Sequence, residues 1–313
     1  MEKVVIALGG KSLQPKANHP TAEEQLKVVK KTCGHLADIS CKGYEIAIVH
    51  GNGPQVGDIL LASEEAAEVT PSMPFVVCGA MSQGYIGYHM QQALKYEMNA
   101  RGRHIPVLTV ATQVMVDKND PAFANPMTPI GASYPREEAE KMQAETGFPM
   151  REYGNRGWRR LVASPAPQRI VELEAIKAMW QSKIVISCGG GGIPVIENMD
   201  GTLEGVAAVI DKDYAAELLA ENLDADILLI LTEVENVALH WNTPQQQNLS
   251  SLTLKEGAEY IAQGQFQSGT MLPKVEAAMK FVRCYPDKKA IITSLDKAMD
   301  ALEGKCGTTI TFA

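Results

Sequence analysis

Short apolar runs recur along the chain, separated by longer stretches with helical patterning. Most of the runs are continuously apolar, which is typical of strands buried on both faces of a sheet. The runs are Val4–Leu8, Glu45–Val49, Ile105–Thr109, Ile184–Ser187, Ile227–Leu231 and Ala290–Thr293. Because strands that alternate with helices usually pair in parallel, the sequence predicts an α/β fold with a mainly parallel sheet and helices on both sides.

The helical patterns lie between these apolar runs. They are Ala22–Lys42, Met81–Arg101, Pro167–Gln181, Tyr214–Leu223 and Pro273–Val282. One segment interrupts the alternation: between Asp117 and about Arg160 the chain is rich in proline, glycine, asparagine and charge. This stretch is longer than an ordinary connection and unsuited to a buried strand, so we expect an excursion that stands out from the sheet. The pattern leaves open whether the excursion is passive or belongs to a site.

The charge balance and the cysteines limit the possible functions. The chain has 29 Lys and Arg residues against 37 Asp and Glu, a net charge of −8, and no dense basic tract, which argues against nucleic-acid binding. The apolar runs are far shorter than the roughly 18 residues of a membrane span, and the chain enters its first strand too early for a signal peptide. The six cysteines lack the spacing of a zinc site or a redox motif, so we predict reduced, mostly buried thiols. We therefore expect a cytoplasmic protein without a nucleic-acid or membrane partner.

Three glycine clusters each follow a predicted strand. They are Gly9-Gly10-Lys11-Ser12, Gly51-Asn52-Gly53-Pro54 and Gly189-Gly190-Gly191-Gly192. In a parallel sheet all three lie at the carboxyl ends of strands, where open α/β sheets bind ligands. Exposed N–H groups of such loops suit phosphate or carboxylate oxygens. Tight turning between strand and helix is the alternative explanation for any one cluster.

Two lysines stand near predicted helix starts. Lys212 lies between Asp211 and Asp213, just ahead of a helical pattern, and Lys274 falls in the first turn of another. A positive charge there opposes the helix dipole, so an external anion explains Lys274 better than the helix does. Glycine loops for one anion and lysines for another indicate a phosphoryl-transfer site, with Asp213 holding the lysines or orienting a nucleotide-bound metal.

Over essentially its whole length the chain resembles the carbamate kinases of the amino-acid kinase fold. The matching segments are Val4–Gly10, His50–Gly57, Met81–Tyr88, Val116–Phe123, Gly189–Pro194, Val209–Asp213, Met271–Lys274 and Gly304–Thr308. The resemblance implies a three-layer αβα sandwich with a mainly parallel central sheet and a small protruding subdomain at about 118–160. It also implies a carbamate-binding lobe over 1–210 that includes this subdomain, and a nucleotide-binding lobe over 211–313.

The activity implied by the resemblance is reversible phosphoryl transfer between ATP and carbamate, with Mg²⁺ accompanying ATP or ADP and held mainly by the nucleotide phosphates. Such enzymes often act in the ATP-forming direction, during the breakdown of arginine or of purine derivatives, and are usually homodimers. The implied catalytic residues are Lys212, Lys274 and Asp213. The implied carbamoyl phosphate-binding residues are Gly9, Gly10, Gly51, Asn52, Gly53, Gly190 and Gly191. The implied nucleotide-binding residues are Lys212, Thr232, Val234, Ala238, Met271 and Lys274.

The chain departs from the family pattern at two places. Lys11-Ser12 replaces Asn-Ala after the first glycine pair, and Pro126-Met127-Thr128-Pro129 replaces Pro-Thr-Lys-Pro in the subdomain. Thr128 thus occupies the place of a lysine expected to reach the substrate, and it can donate a hydrogen bond but carries no charge. Our hypothesis is that Lys11 restores the missing positive charge as a catalytic residue. The alternatives are a kinase for another small carboxylate or carbamate-like acid, and a non-catalytic relative that binds nucleotide or carbamoyl phosphate.

Overall fold

The structure is a computed structural model that describes residues 1–15, 20–152 and 157–313, and for Lys11 the backbone alone. The strands of the described chain are β1 (Lys3–Leu8), β2 (Glu45–His50), β3 (Val107–Thr109), β4 (Gln113–Val116), β5 (Thr128–Tyr134), β6 (Met150–Glu152), β7 (Trp158–Val162), β8 (Pro167–Ile170), β9 (Ile184–Ile186), β10 (Ile193–Glu197), β11 (Leu203–Gly205), β12 (Ile227–Thr232), β13 (Ala238–Leu239), β14 (Gln247–Asn248), β15 (Ser251–Thr253), β16 (Lys289–Ser294) and β17 (Thr308–Thr311). The α-helices are α1 (Ala22–Cys41), α2 (Gly53–Glu65), α3 (Phe75–Ala100), α4 (Arg136–Thr146), α5 (Leu173–Trp180), α6 (Lys212–Asn222), α7 (Leu254–Ala262), α8 (Met271–Cys284) and α9 (Ala298–Leu302).

The central sheet has eight strands in the order β15-β17-β16-β12-β1-β2-β9-β3. All six predicted apolar runs form neighbouring strands of this sheet, and every pairing among them is parallel. β1 lies between β12 and β2, with Ile6 opposite Leu229 and Ile48. The last two strands, β17 and β15, extend one edge, and β17 runs antiparallel to β16. The predicted mainly parallel sheet is confirmed.

Helices cover both faces of this sheet. Alternate residues of β1 point to opposite sides: Val5 and Ala7 join an apolar cluster with α6 and α8, whereas Ile6 joins another with α1 and α3. The side chains of both clusters are almost completely buried. This arrangement is the predicted three-layer sandwich, and it explains why the strand sequences are apolar without alternation.

The helix predicted over Pro167–Gln181 is wrong in its first part and confirmed in its second part. Pro167–Ile170 is strand β8, and only Leu173–Trp180 is helical. β8 pairs antiparallel with β4 in a second, four-stranded sheet of order β11-β10-β4-β8. The local sequence does not identify this strand, because its extended conformation depends on pairing with a partner more than fifty residues away.

The predicted excursion is a small structure of its own. The described part contains a three-stranded sheet of order β5-β7-β6 together with helix α4. Its apolar side packs on α2, where Ile130 and Val162 meet Val56 and Leu60. The strands that it contains were not predicted, but their sheet is separate from the central one, as expected for a subdomain.

The state of the cysteines and the character of the helices bear on the predictions of reduced thiols and of a protein without a membrane span. All six cysteines are free thiols, and Cys33, Cys78 and Cys188 are buried. Among the residues that the structure describes, we find no helix with both the length and the apolar character needed to cross a membrane.

Candidate active site

The three glycine clusters meet at one edge of the central sheet. A Cβ atom added to Gly51 would lie 3.0 Å from the backbone nitrogen of Gly10, so the loops after β1 and β2 are in direct contact. A Cβ atom on Gly190 would lie 2.2 Å from Asn52 Nδ2, which brings the loop after β9 to the same place. The three loops therefore converge as predicted, because parallel strands have their carboxyl ends at the same edge of the sheet.

Steric constraints alone require several of these glycines. Gly190 has a φ of +69° and Gly191 a φ of +94°. A Cβ atom on Gly191 would lie only 2.0 Å from the carbonyl oxygen of Ile210. The amide of Gly51 donates to Leu8 O at 2.9 Å, and that of Gly191 donates to Cys188 O at 2.9 Å. Gly51 and Gly191 therefore line the site through their small size, since their N–H groups are already used.

The start of α2 supplies N–H groups to this edge. Asn52 is the residue before the helix and Pro54 occupies its first turn. The Asn52 side chain does not cap the helix but donates from Nδ2 to Ser82 Oγ at 2.8 Å. The first N–H groups of a helix have no acceptor within it, and such groups are suited to bind an anion, so the start of α2 at Gly53 fits this role.

A buried side-chain network fixes the loop after β9. Gln83 Nε2 donates to Gly189 O at 2.9 Å and to Thr112 O at 3.1 Å. Gln83 Oε1 in turn accepts from the amide of Thr112 at 2.8 Å, and Thr112 Oγ1 accepts from the amide of Cys188 at 3.0 Å. Gln83 and Thr112 thus anchor the third glycine loop to α3 and to the segment before β4.

Two lysines share one carboxylate beside these loops. Lys212 Nζ lies 2.6 Å from Asp213 Oδ1, and Lys274 Nζ lies 2.7 Å from Asp213 Oδ2. The side chain of Asp213 is 2% exposed and each lysine side chain is 13% exposed. Asp213 is therefore buried, while both lysines keep a small opening to the surface.

Helix starts position these groups. Asp211 precedes α6, and its Oδ1 accepts from the amide of Asp213 at 2.9 Å. Lys212 is the first residue of α6, whereas Lys274 lies in the first turn of α8. A Cβ atom on Gly51 would be 3.3 Å from Lys212 Cδ, so the lysine pair adjoins the glycine loops.

The protonation states follow from burial and from charge. Burial opposes ionisation of Asp213, but the two ammonium groups hold the pKa of its carboxyl below the usual value. For Lys212, burial favours the neutral amine, yet Asp213 and Asp211 raise its pKa above that of an ordinary lysine. The pKa of Lys274 is lowered by burial, which Asp213 only partly offsets. The pKa of Asp211 is raised by burial and by Asp213.

The predicted nucleotide-binding residues come from elements in the C-terminal part of the chain. Thr232 ends β12, the strand beside β1, and Met271 begins α8 three residues before Lys274. Ala238 is buried in β13, and Val234 lies in the connection between β12 and β13. Thr232, Met271 and Lys274 thus come from elements that end or start at the candidate site.

Two predicted residues are placed differently. Thr128 begins β5 in the subdomain, where it pairs with Val162. The backbone of Lys11 lies in a 3-10 turn, Gly10–Ser12, directly after β1; its side chain lies outside the described residues. The backbone of Lys11 is therefore at the site edge, whereas Thr128 belongs to a different sheet.

Sequence analysis gave no role to Ser82, Gln83 or Thr112, although Ser82 and Gln83 lie inside a segment that resembles the family. A buried glutamine or threonine in an α/β chain has no local signature. The feature of the sequence that could have identified Ser82 and Gln83 is the concentration of polar residues within the helical pattern beginning at Met81.

Comparison with known proteins identifies the family. The sequence model of the Amino acid kinase family matches residues 2–294. The chain is 54% identical to "Carbamate kinase" of Clostridium perfringens, over 98% of this chain and 99% of that protein. It is 48% identical to "Carbamate kinase" of Pyrococcus horikoshii, over 99% of both chains. A solved structure described as "Carbamate kinase from Giardia lamblia bound to AMP-PNP" superposes with a TM-score of 0.93 at 43% identity, and the match covers 99% of this chain and 98% of that one.

A family match over this length, on a parallel sheet with converging glycine loops and paired lysines, defines the class: the chain belongs to the amino acid kinase family of phosphotransferases. Within that family its near full-length identities place it among the carbamate kinases.

Proposed function

We propose that the protein is a carbamate kinase that transfers a phosphoryl group reversibly between ATP and carbamate. The observation that carries the proposal is the Lys212–Asp213–Lys274 cluster beside the glycine loops, in a chain about half identical to carbamate kinases. In the ATP-forming direction, the bond between phosphorus and the carbamate oxygen breaks, and a bond forms to the terminal phosphate oxygen of ADP. No covalent enzyme intermediate is required.

The cluster supplies charge stabilisation for this step. The ammonium groups of Lys212 and Lys274 share the carboxylate of Asp213 in a mostly buried place, with the carboxyl group of Asp211 nearby. The transferred phosphoryl group spreads negative charge over its oxygens in the transition state, so positioned cations lower the barrier directly. Asp213 holds the two lysines at fixed positions before substrate arrives and saves the cost of arranging them during the reaction.

The two ends of the phosphoryl path come from different parts of the chain. The glycine loops belong to 1–210, which we propose as the carbamoyl phosphate-binding lobe with the subdomain at about 118–160. The lysines belong to 211–313, which we propose as the nucleotide-binding lobe. In it Thr232, Val234, Ala238 and Met271 receive adenine and ribose. The AMP-PNP bound to the Giardia lamblia protein supports nucleotide binding by this fold.

Magnesium enters this proposal with the nucleotide. Both oxygens of Asp213 already contact ammonium groups, and one oxygen of Asp211 accepts the amide of Asp213. The donor set around the lysines therefore suits a Mg²⁺ ion held mainly by nucleotide phosphates rather than one held by several carboxylates. When bound, the ion neutralises charge on the phosphate oxygens.

The deciding experiment is ATP formation from ADP, Mg²⁺ and carbamoyl phosphate, with Lys274→Ala as the blank. We expect ATP from the wild type and almost none from the variant. ATP formed from another acyl phosphate, but not from carbamoyl phosphate, would support the kinase for a different small acid. Nucleotide binding without turnover of any acyl phosphate would support the non-catalytic alternative.

We also propose that Lys11 replaces the lysine that is absent at Thr128. The backbone of Lys11 directly follows Gly10, whose backbone contacts Gly51 at the centre of the site. Lys11→Asn should lower kcat by roughly 100-fold, the usual effect of removing one group that stabilises the transition state. Adding Thr128→Lys to that variant should restore much of the loss, and Lys27→Asn, at an exposed position of α1, serves as the control. An unchanged turnover number in Lys11→Asn would refute this role.

Three finer points complete the proposal: the protein acts in the cytoplasm, in arginine breakdown, and as a homodimer. All three rest on the resemblance to the carbamate kinases. The homodimer has additional support from α3, which exposes large apolar side chains along one side. They are Val77, Met81, Tyr88 and Tyr96, which are 39–66% exposed.

A further inference from the structure

His50 is a buried histidine between two of the glycine loops. It ends β2 and is 1% exposed. Its Nδ1 lies 3.0 Å from the carbonyl oxygen of Gly51. A carbonyl oxygen can only accept, so Nδ1 carries the hydrogen and donates it. One edge of the imidazole is therefore attached to the loop that leads into α2.

The other edge of the ring contacts the loop after β9. A Cβ atom added to Gly189 would lie 2.6 Å from His50 Nε2 and 2.7 Å from Cε1. No side chain fits at 189 while the imidazole is in place. Gly189 is held from the opposite direction by Gln83, which donates to its carbonyl oxygen at 2.9 Å. The ring thus fills the space between Gly51 and Gly189.

Burial decides the protonation state of His50. Burial lowers the pKa of the imidazole to about 4, despite the opposing effect of the hydrogen bond to Gly51. The ring is therefore neutral under ordinary conditions, and Nε2 is an acceptor. Among the described residues Nε2 has no hydrogen-bond partner, although it is buried. An unsatisfied buried acceptor costs free energy that an apolar side chain of similar size would avoid, so packing alone does not explain a histidine here.

We propose that His50 is a positioning residue for phosphoryl transfer. Its Nδ1–H holds the Gly51 carbonyl while its Nε2 edge supports Gly189, and together these contacts fix the β2 and β9 loops relative to each other. The proposal rests on the proposed kinase function. It assigns His50 no contact with substrate: the ring acts through the loops, so that Gly53 at the start of α2 and Gly190 meet the carbamoyl phosphate in the correct arrangement.

Two substitutions separate the effect of the Nδ1–H donor of His50 from the effect of the volume of its imidazole ring. His50→Asn keeps an N–H group near the position of Nδ1, whereas His50→Leu fills similar space without a donor. His89→Asn is the matched control, because His89 is also buried, at 7% exposed, but packs against Tyr85 and Tyr88 on α3. The measurements are kcat and the KM values for carbamoyl phosphate and for ADP, on protein shown to be folded by its Tm.

We expect His50→Leu to lower kcat by roughly 10- to 100-fold, since small misplacement of binding groups has effects of this size. The KM for carbamoyl phosphate should rise while the KM for ADP stays within about twofold, because the loops belong to the proposed carbamoyl phosphate-binding lobe. His50→Asn should recover at least about tenfold of kcat, and His89→Asn should resemble the wild type. Equal losses in His50→Asn and His50→Leu, or equal rises in both KM values, would overturn the proposal.

Amide hydrogen exchange tests the same proposal without turnover. The segments 51–53 and 189–191 should exchange faster in His50→Leu than in the wild type, and His50→Asn should lie between the two. A wild type that forms no ATP would refute the proposed function, but exchange would still decide whether His50 holds the loops. Unchanged exchange in His50→Leu would contradict the positioning role, whatever the activity.

Discussion

The charge cluster around Asp213 explains why lysines stand where a helix disfavours them. A lysine at the start of α6 and another in the first turn of α8 each face the positive end of a helix dipole. The shared carboxylate of Asp213 offsets this cost for both lysines. Each ammonium group contacts only one oxygen of Asp213 and keeps hydrogens that it can donate to a bound phosphoryl group, so the cluster suits an anionic ligand.

Asp213→Asn tests this charge balance. The amide cannot neutralise two ammonium groups, so Lys212 and Lys274 should repel each other and move apart. We expect kcat to fall by roughly 100-fold or more, as for the loss of a preorganised electrostatic group. Asp224→Asn is the control, since Asp224 pairs with Lys288 just beyond the other end of α6. A kcat within a factor of two of the wild type in Asp213→Asn would contradict the assigned role.

At the scale of elements, the site depends on how closely the glycine loops approach. Gly190 has positive φ and no room for a side chain beside Asn52. Gly264 has almost the same φ, +68°, but nothing within 4 Å of a Cβ atom. Substitutions at Gly190 and Gly264 therefore separate the free-energy cost of a left-handed backbone conformation from the free-energy cost of a steric clash.

Gly190→Ala should lower both stability and kcat, because the new methyl group would displace Asn52 from its hydrogen bond to Ser82. Gly264→Ala should cost only about 1 kcal/mol, the strain of a left-handed alanine, and leave kcat unchanged. Thermal unfolding and initial rates measure both effects. Equal losses of stability and of kcat in Gly190→Ala and Gly264→Ala would mean that the left-handed backbone conformation alone, and not the contact with Asn52, requires a glycine at position 190.

Helices α6 and α8, which carry the two lysines, are linked by side-chain contacts where they pack against each other. Beyond Asp213 and Lys274, Tyr214 hydrogen-bonds to Glu276, and Lys280 Nζ lies 2.5 Å from Glu217 Oε2. The side chain of Glu217 is completely buried, whereas that of Lys280 is 48% exposed. These cross-links fix the register of α6 and α8 and therefore the separation of the two lysines.

Glu217 gives this helix pair a pH dependence. Burial raises the pKa of Glu217 to about 7 from an ordinary 4.5, although Lys280 opposes the shift. The folded state then binds the proton more tightly than the unfolded state, so the contribution of Glu217 to stability falls as pH rises from 4.5 through 7. Glu217→Gln should therefore be more stable than the wild type at pH 8, on the order of 1–3 kcal/mol, with the gain disappearing near pH 5.

The measurement is Tm at several pH values. A Glu217→Gln variant less stable than the wild type at pH 8 would show that the Lys280 ion pair outweighs the cost of burial.

At the scale of the whole molecule, the proposed homodimer uses the exposed side of α3. Tyr88 and Tyr96 are 57% and 66% exposed on a helix whose opposite side is in the core. Light scattering should give twice the chain mass of 33.9 kDa for the wild type and 33.9 kDa for Tyr88→Glu. Trp241→Glu, which alters an aromatic residue 50% exposed elsewhere, should leave the mass unchanged. A monomeric wild type would refute the proposed assembly.

The elements differ in how far their local sequence predicts them. The strand at Ile227–Thr232 is apolar on both faces, so its place in a buried parallel sheet follows from composition. α2 was not predicted, because Gly53, Pro54 and Gly57 resemble a loop, although a proline in the first turn is favourable for a helix. α3 begins at Phe75 rather than at Met81, since Pro74 starts a helix through residues that have high strand propensity.

The sequence by itself determined the α/β class, the edge of the sheet where the glycine loops meet, and the two lysines that lie beside them, because periodicity, glycine spacing and charge at helix starts are local properties. Only the tertiary structure decided that Lys212 and Lys274 share one carboxylate, that Gly189 faces His50, and that Pro167–Ile170 is a strand. Each of these depends on residues far apart in the chain, whose contact is set by packing and not by local pattern.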